Sequence, residues 1–291
     1  MRGGDTYGEV VLTPGGSAAN VAVWAQRCGL PTSFVGKIGR DRFGELATSE
    51  LAAEGVDAYL VQSDAQLTGS VAVFVDHTGE RSMISGRGAD HYLLPSELPR
   101  DLLRQSDNVH FTAWSFFTDP PRSAAREAAR VAKEAGASVS FDPGSFQLIG
   151  EIGVERFLEY TGDLSIDLLL PNYEEGEVLT GESDPERIAR ELARLYPGAL
   201  IALKLDARGS LIFDGERLTH IPPATDRLID ATGAGDSYAG AFLARRAQGQ
   251  GVAEAARFAT AVSAWTIRKQ GARPAPDGEL AELLGVEAGP G

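Results

Sequence analysis

The segment DATGAGDSYAG, residues 230–240, is the most informative part of the chain. Gly233 and Gly235 flank Ala234 where the pattern predicts that a strand or loop gives way to a helix. Glycine can adopt backbone conformations that are closed to other residues. The N–H groups at a helix N-terminus are free, and the helix dipole adds partial positive charge there. This segment therefore predicts a site for an oxyanion or a phosphate.

Asp236 lies in the first turn of that predicted helix, and a side chain there leans back towards the N-terminus. Its carboxylate and the amide pocket are therefore expected to meet. Phosphoryl transfer requires this combination, because a base must take the proton of the attacking hydroxyl beside a site that stabilises developing charge. An aspartate in a first helical turn also has a simpler explanation, since it stabilises the helix dipole.

Two other glycine motifs are not fulfilled. The dinucleotide fingerprint Gly-x-Gly-x-x-Gly fails because Tyr238 stands at its third glycine. The Walker motif fails because Ile38, not serine or threonine, follows Gly36-Lys37.

Strand-like and helix-like segments alternate along most of the chain. Predicted strands are 32–38, 108–112, 138–142, 167–171, 200–204, 211–213 and 217–221, the last two forming a hairpin around Asp214-Gly215. Predicted helices are 17–29 (with Ser17 as N-cap), 40–55, 121–135, 185–195, 234–248 and 252–269. This alternation predicts a three-layer α/β/α sandwich with a mainly parallel central sheet.

Residues 56–85 interrupt the alternation with three short strand-like segments, 58–61, 70–75 and 81–84. The segment DHTGE, residues 76–80, is a hairpin signal between the last two. This block, with residues 9–13, is expected to form a small separate sheet.

Composition restricts the partners. The chain has 291 residues and a formal net charge of −14, so neither nucleic acid nor an anionic membrane surface is expected as a partner. A small anionic substrate remains compatible with this net charge, because backbone amides and a metal ion can hold it.

Cys28 is the single cysteine and is expected to be buried and unreactive. A single cysteine cannot form an internal disulfide, and the sequence shows neither a secretory signal nor an apolar run of about 18 residues. We therefore expect a cytoplasmic protein.

Two long segments resemble the signatures of ribokinase-type carbohydrate kinases, the PfkB family. Residues 230–242, DATGAGDSYAGAF, are similar to its C-terminal signature, roughly Asp-Thr-x-Gly-Ala-Gly-Asp. Residues 15–45 are similar to its N-terminal signature, which opens with Gly-Gly-x-x-x-Asn and closes with Gly-x-x-Gly-x-Asp-x-x-Gly. Here those positions are Gly15, Gly16, Asn20, Gly36, Gly39, Asp41 and Gly44. The alternation between the signatures also fits the ribokinase-like fold over nearly the whole chain.

The resemblance implies a kinase that uses ATP and Mg²⁺ to phosphorylate the CH₂OH group of a small sugar or sugar-like molecule. Asp236 would be the general base, and the amides of Gly233, Ala234, Gly235 and Asp236 would form the anion hole. Other implied nucleotide-side residues are Asn172, Glu175, Lys204, Gly209 and Thr232, with the adenine against the helix near 258–263. Glu175 would place Mg²⁺, through water. Asp230 and the loop at Gly271 and Ala272 resemble a monovalent-cation site, implying K⁺.

On the acceptor side the resemblance implies that Gly15, Gly16, Asn20 and Asp236 contact the substrate. Asp41 is either structural or near the acceptor. The β-rich block at 56–85, with 9–13, would be a lid that excludes water. Because such lids pair between subunits in several members, a homodimer through the lid is implied.

Some positions differ from the family pattern. Only 14 residues precede Gly15, and none of them forms the apolar first strand with its acceptor-binding aspartate, so we expect that strand to be missing. Asp206 stands where the family usually has glycine. The segment DPGS at 142–145 lacks the Asn-x-Arg found near this point in 2-keto-3-deoxygluconate kinases. Three alternatives stay open: a sugar kinase, a nucleoside kinase of the same family, and a catalytically impaired ribokinase-like binding protein.

Overall fold

The computed structural model describes residues 11–75, 81–225 and 227–285. Within them the strands are β1 (Ser33–Gly39), β2 (Asp57–Ser63), β3 (Ser70–Val75), β4 (Arg81–Gly86), β5 (Asn108–Thr112), β6 (Ser138–Asp142), β7 (Leu168–Leu169), β8 (Leu200–Lys204), β9 (Ser210–Phe213) and β10 (Leu218–Ile221). The helices are α1 (Ser17–Arg27), α2 (Arg42–Ala53), α3 (Arg100–Gln105), α4 (Pro121–Glu134), α5 (Phe146–Ile152), α6 (Val154–Thr161), α7 (Tyr173–Thr180), α8 (Pro185–Leu195), α9 (Ala234–Ala247), α10 (Val252–Thr266) and α11 (Gly278–Leu284). None of the helices in these residues is long and apolar enough to cross a membrane.

The main sheet has the order β10-β9-β8-β7-β6-β5. Strands β5 to β8 are parallel, whereas β9 and β10 form the antiparallel hairpin expected around Asp214-Gly215. Parallel strands need crossover connections, which the intervening helices supply. The predicted α/β class with a mainly parallel central sheet is confirmed.

The two faces of this sheet are covered by different helices, because successive side chains of a strand point to opposite faces. Ile201 and Leu203 of β8 belong to one buried cluster with residues of α4 to α8. Ala202, between them, belongs to the other cluster with residues of α1, α9, α10 and α11. The site described below lies on the second side, where α9 and α1 meet.

A second sheet contains β1 and β2, paired in parallel with Ser33 opposite Asp57. No strand of the described residues joins it to β5, the edge of the main sheet. A cavity of about 1890 Å³ lies between the two, lined by residues 33–38 and 108–112, and it extends to Gly15 and Asn20.

The lid hairpin consists of β3 and β4, which pair antiparallel with Ala72 opposite Ile84. The predicted segment 58–61 behaves differently: it extends to 57–63 and pairs with β1 rather than with the hairpin. Residues 11–13 are not in a strand. Positions 9–10 and the expected turn at 76–80 lie outside the described residues.

Several predicted boundaries were wrong. The N-cap of α1 is Gly16, and Ser17 is the first helical residue, so its hydroxyl is not used as a cap. Helix α2 begins after Asp41, whose carboxylate accepts a hydrogen bond from Gly44 N at 2.9 Å. The strand expected at 167–171 is reduced to β7, since Pro171 has no N–H to continue the ladder.

Candidate active site

The N-terminus of α9 is shaped by Gly233. This residue is the N-cap and has φ 77°, a left-handed conformation that glycine adopts without strain. A Cβ placed there would lie 2.7 Å from Cα of Ala272, so the loop after α10 also requires glycine at this position. Ala234 N–H donates to Ala231 O at 3.2 Å, which closes the turn in front of the helix.

Asp236 lies in the first turn of α9, as predicted, and two residues of α1 donate hydrogen bonds to it. Ser17 Oγ donates to Oδ1 at 2.8 Å, and Asn20 Nδ2 donates to Oδ2 at 2.7 Å. Burial raises the pKa of the Asp236 carboxyl above its usual value, while the hydrogen bonds from Asn20 and Ser17 act in the opposite direction. A base with a raised pKa holds an abstracted proton more readily.

Gly240 explains why α1 lies so close to α9. A Cβ at Gly240 would lie 2.7 Å from Ala25 N and 2.7 Å from Val21 O. The absence of a side chain therefore lets the two helices approach backbone to backbone. This approach brings Ser17 and Asn20 within hydrogen-bonding distance of a residue more than 200 positions away.

Lys204 belongs to a buried group of charges next to the same turn. Its Nζ lies 2.6 Å from Asp142 Oδ2, and the two side chains are 12% and 9% exposed. Burial opposes the charged form of Lys204, but the carboxylates of Asp142 and Glu175 raise its pKa above the ordinary value. A Cβ on Gly235 would lie 3.2 Å from this Nζ, so the ammonium is directly beside the start of α9.

Asn172 and Glu175 form a reciprocal cap at the start of α7. Asn172 Oδ1 accepts from Glu175 N at 2.7 Å, and Glu175 Oε2 accepts from Asn172 N at 2.9 Å. Asn172 also pairs with Lys204 as an isolated parallel bridge. Burial, and then the charge of Asp142, raise the pKa of the Glu175 carboxyl well above its usual range. The Asn-x-x-Glu spacing thus has a structural explanation beside any role towards a ligand.

Gly209 lies in the turn between β8 and β9, directly before Ser210, which pairs with Lys204. It has φ 86°, and a Cβ there would lie 2.0 Å from Ile221 O. Asp206 has φ 51°, the left-handed conformation that the glycine usual at this position adopts without strain. The chain therefore keeps the expected turn geometry although the residue differs.

Asp230 ties two loops together. Its Oδ1 accepts from Thr232 N at 2.9 Å and from Thr232 Oγ1 at 2.7 Å, and its Oδ2 accepts from Gly271 N at 2.9 Å. These bonds hold the segment before α9 against the loop that follows α10.

Asp41 and the glycines of the second half of the N-terminal signature hold β1 and α2 together. Asp41 accepts hydrogen bonds from Thr68 N at 2.7 Å and from Thr68 Oγ1 at 2.8 Å, in addition to capping α2. A Cβ at Gly44 would lie 2.3 Å from Gly39 O. Of the two roles expected for Asp41, these contacts favour the structural one.

Three residues of this region were not identified from the sequence as site residues: Ser17, Asp142 and Arg273. Ser17 is within the Gly-Gly signature, and Asp142 ends a parallel strand at the edge where ligands bind in α/β sheets, so each had a signal. Arg273 had none. Its Nε donates to Asn20 Oδ1 at 2.7 Å and its Nη2 to Gly15 O at 3.0 Å.

Comparison with known proteins identifies the family of the chain. The family model described as pfkB family carbohydrate kinase matches residues 4–277. The chain belongs to this family. A fructokinase-1 from Oryza sativa subsp. japonica is 33% identical to the chain, over 96% of this chain and 90% of its own length. An uncharacterized sugar kinase from Archaeoglobus fulgidus is 31% identical, over 85% of this chain and 95% of its own. The chain is thus a carbohydrate kinase of the pfkB family.

Solved structures give the same family resemblance. The adenosine kinase from Sinorhizobium meliloti matches with a TM-score of 0.86 and 28% identity, covering 94% of this chain and 83% of its own. The fructokinase from Vibrio cholerae, solved with fructose, ADP and calcium ion, matches with a TM-score of 0.81 and 27% identity, covering 93% and 91%. The ribokinase-like fold predicted from the sequence is confirmed.

Proposed function

We propose that this pfkB family kinase transfers the γ-phosphoryl group of ATP to a primary hydroxyl of a small sugar, with Asp236 as the general base. The observation that carries the proposal is the position of the Asp236 carboxylate, at the N-terminal end of α9 and in hydrogen-bonding contact with Ser17 and Asn20 of the Gly-Gly signature. One carboxylate thus adjoins both a helix N-terminus suited to phosphate and the loop expected to hold the acceptor.

In this mechanism the acceptor hydroxyl oxygen attacks the γ-phosphorus while the bond to the ADP oxygen breaks. The hydroxyl proton passes to the Asp236 carboxylate, whose raised pKa suits it to receive that proton. No phosphoenzyme forms, because the acceptor attacks directly.

Two positive groups would stabilise the negative charge that develops on the transferred phosphoryl group. The amides of Gly233, Ala234, Gly235 and Asp236 would form the anion hole, with Thr232 beside it, although the N–H of Ala234 is already in contact with Ala231 O. The Lys204 ammonium, beside Gly235, adds a full charge. Placed by Asp142, it is close enough to the helix end to stabilise the phosphates electrostatically.

The divalent metal ion, Mg²⁺, would be held by a carboxylate of the chain together with the phosphates of ATP. No cluster of three or more metal-ligating side chains exists among the described residues. Mg²⁺ does not require one, because it commonly binds through one or two carboxylates, substrate phosphates and retained waters. Glu175 fits this role, since burial and Asp142 disfavour its ionised form and a cation would relieve that. Mg²⁺ would neutralise charge on the β- and γ-phosphates.

For the monovalent cation, Asp230 is the proposed residue. Its carboxylate accepts hydrogen bonds from Thr232 and Gly271, which keeps the two neighbouring loops together. Turnover compared in KCl and in tetramethylammonium chloride at equal ionic strength tests this proposal. Equal rates in the two salts contradict a K⁺ requirement.

The acceptor would lie against Gly15, Gly16 and Asn20, which line the cavity. A sugar is proposed first because several fructokinases are 32–34% identical to the chain over at least 90% of its length. A nucleoside acceptor is the second proposal, carried by the similarity to an adenosine kinase structure with a TM-score of 0.86.

The lid hairpin supports a homodimer. Val71 and Val73 of β3 line the cavity, which identifies the inner face of the hairpin. Because side chains alternate along a strand, Phe74 and Ile84 point to the outer face, where they are 59% and 64% exposed. A second copy would cover this apolar outer face. In sedimentation velocity, Phe74→Ser/Ile84→Ser should sediment as a monomer where the parent chain sediments as a dimer, and a monomeric parent chain contradicts the proposal.

The test of the catalytic proposal is an ADP-release assay with ATP and Mg²⁺ against fructose, glucose, ribose and adenosine. The chain should release ADP with at least one sugar, and Asp236→Asn should lower kcat by about 10²–10⁴-fold, the usual contribution of a general base. Isothermal titration should show ATP binding unchanged in that variant. Wild-type-like turnover by Asp236→Asn refutes the assignment. Turnover with adenosine alone selects the nucleoside kinase, and binding without ADP release selects the binding protein.

A further inference from the structure

Arg273 connects the loop after α10 to the acceptor side of the site. Its Nε donates to Asn20 Oδ1 at 2.7 Å, and its Nη2 donates to Gly15 O at 3.0 Å. The guanidinium thus forms hydrogen bonds with two residues of the N-terminal signature, Asn20 and Gly15, which lie 253 and 258 positions away in the chain. Arginine stays protonated in proteins, so both contacts are always donated by Arg273.

The first contact determines how the Asn20 amide is oriented. An amide side chain has one oxygen that accepts and one nitrogen that donates. Because Arg273 can only donate, it must face the Asn20 oxygen, which leaves the nitrogen directed towards Asp236. Without Arg273 the Asn20 oxygen would lose its donor, and the amide would be held only by its contact with Asp236, so the position of its nitrogen towards the carboxylate would be less restricted.

We propose that Arg273 is a positioning residue for the base: it fixes Asn20 so that Asn20 Nδ2 holds the Asp236 carboxylate in the orientation that receives the proton of the acceptor hydroxyl. This inference rests on the proposed function, since it concerns the same base. It adds a residue outside both signatures and a chain of contacts from Arg273 through Asn20 to Asp236.

Charges around Asp236 set the expected direction of a pH effect. The charged groups that face it are Arg273 and Lys204, which favour its ionised form, and Asp142, which disfavours it. Asn20 also favours the ionised form, through its donated hydrogen bond. Loss of Arg273 removes one positive charge and frees the amide, and both changes raise the pKa of Asp236.

The test is a double-mutant cycle between Arg273 and Asn20 in the ADP-release assay. Arg273→Met should lower kcat by about 10- to 100-fold, as small misplacements of reacting groups do, with KM for ATP changed less than about 2-fold. Because Arg273 acts through Asn20, the same substitution in an Asn20→Ala background should have an effect of less than about 3-fold. Arg273→Lys should recover part of the activity, since lysine can reach one acceptor but cannot form the fork of two contacts. Multiplicative effects of the two substitutions overturn the proposal, as does wild-type kcat in Arg273→Met.

A second readout does not depend on turnover. Carboxyl ¹³C NMR titration should give a higher pKa for Asp236 in Arg273→Met than in the parent chain. Arg268→Met is the matched control, because Arg268 pairs with Glu279 on the surface of the same region. If the parent chain turns over no acceptor, the proposed function fails, and the titration still decides on Arg273. An unchanged or lowered pKa of Asp236 overturns the positioning role.

Discussion

Substitution of Lys204 by methionine should destabilise the fold strongly. The side chain is 12% exposed, and its ammonium lies 2.6 Å from a carboxylate that is 9% exposed. Methionine keeps much of the volume and removes the charge. The variant therefore leaves Asp142 as a buried anion beside Glu175. Its carboxylate keeps the hydrogen bond donated by Gly144 N at 3.0 Å.

The magnitude follows from burial. Removal of one partner of a buried ion pair costs about 3–5 kcal/mol, because the other charge stays desolvated without compensation. Exposed pairs contribute about 0–1 kcal/mol. Lys133 and Asp167 form such a pair, 28% and 46% exposed, at a similar distance of 2.5 Å. Lys133→Met is therefore the matched control for the same chemical change in a wetter environment.

Urea unfolding followed by circular dichroism measures the effect as a change in the free energy of unfolding. We expect Lys204→Met to lose about 3–5 kcal/mol and Lys133→Met about 1 kcal/mol or less. The double variant Lys204→Met/Asp142→Leu should be more stable than Lys204→Met alone, since it leaves neither charge of the pair in the interior. A loss in Lys204→Met no larger than that in Lys133→Met would refute the assignment of a buried charged pair.

Three further predictions concern other parts of the molecule. Folding raises the pKa of Glu175, so the contribution of this carboxyl to stability is complete below its unfolded pKa of about 4.3 and is lost as the pH rises through its pKa in the folded chain. Above pH ~4.3, the free energy of unfolding of Glu175→Gln should therefore increase relative to that of the parent chain. A difference between the two chains that does not change with pH contradicts this expectation. Burial raises the pKa of the Cys28 thiol to about 12, so a thiol-specific reagent should label it only after unfolding, and rapid labelling of the native chain would show that it is accessible. Gly209→Ala should lose more than about 2 kcal/mol, because strain at positive φ adds to a Cβ contact of 2.0 Å with Ile221 O; Gly215→Ala, with φ 96° and no atom within 4 Å of its Cβ, should lose only the conformational part, and equal losses in the two variants would contradict the steric argument.

Local sequence patterns predicted much of the fold. Alternating strands and helices predicted the mainly parallel sheet, because hydrophobic periodicity and glycine breaks depend on neighbours within about ten residues. The strand pairing that was predicted wrongly was decided by contacts with distant residues. Residues 57–63 pair with β1 and not with the lid hairpin, and short apolar strands carry no local information about their partner.

Sequence by itself determined the start of α9 and the presence of Asp236 in its first turn, because glycine conformation and helix direction are local properties. Only the tertiary structure decided what surrounds that carboxylate. The close approach of α1 at Gly240 brings Asn20 to Asp236, and the fold brings Arg273 to Asn20. These contacts join residues more than 200 positions apart. Such contacts depend on how whole helices pack, and helix packing depends on side chains spread over the entire chain.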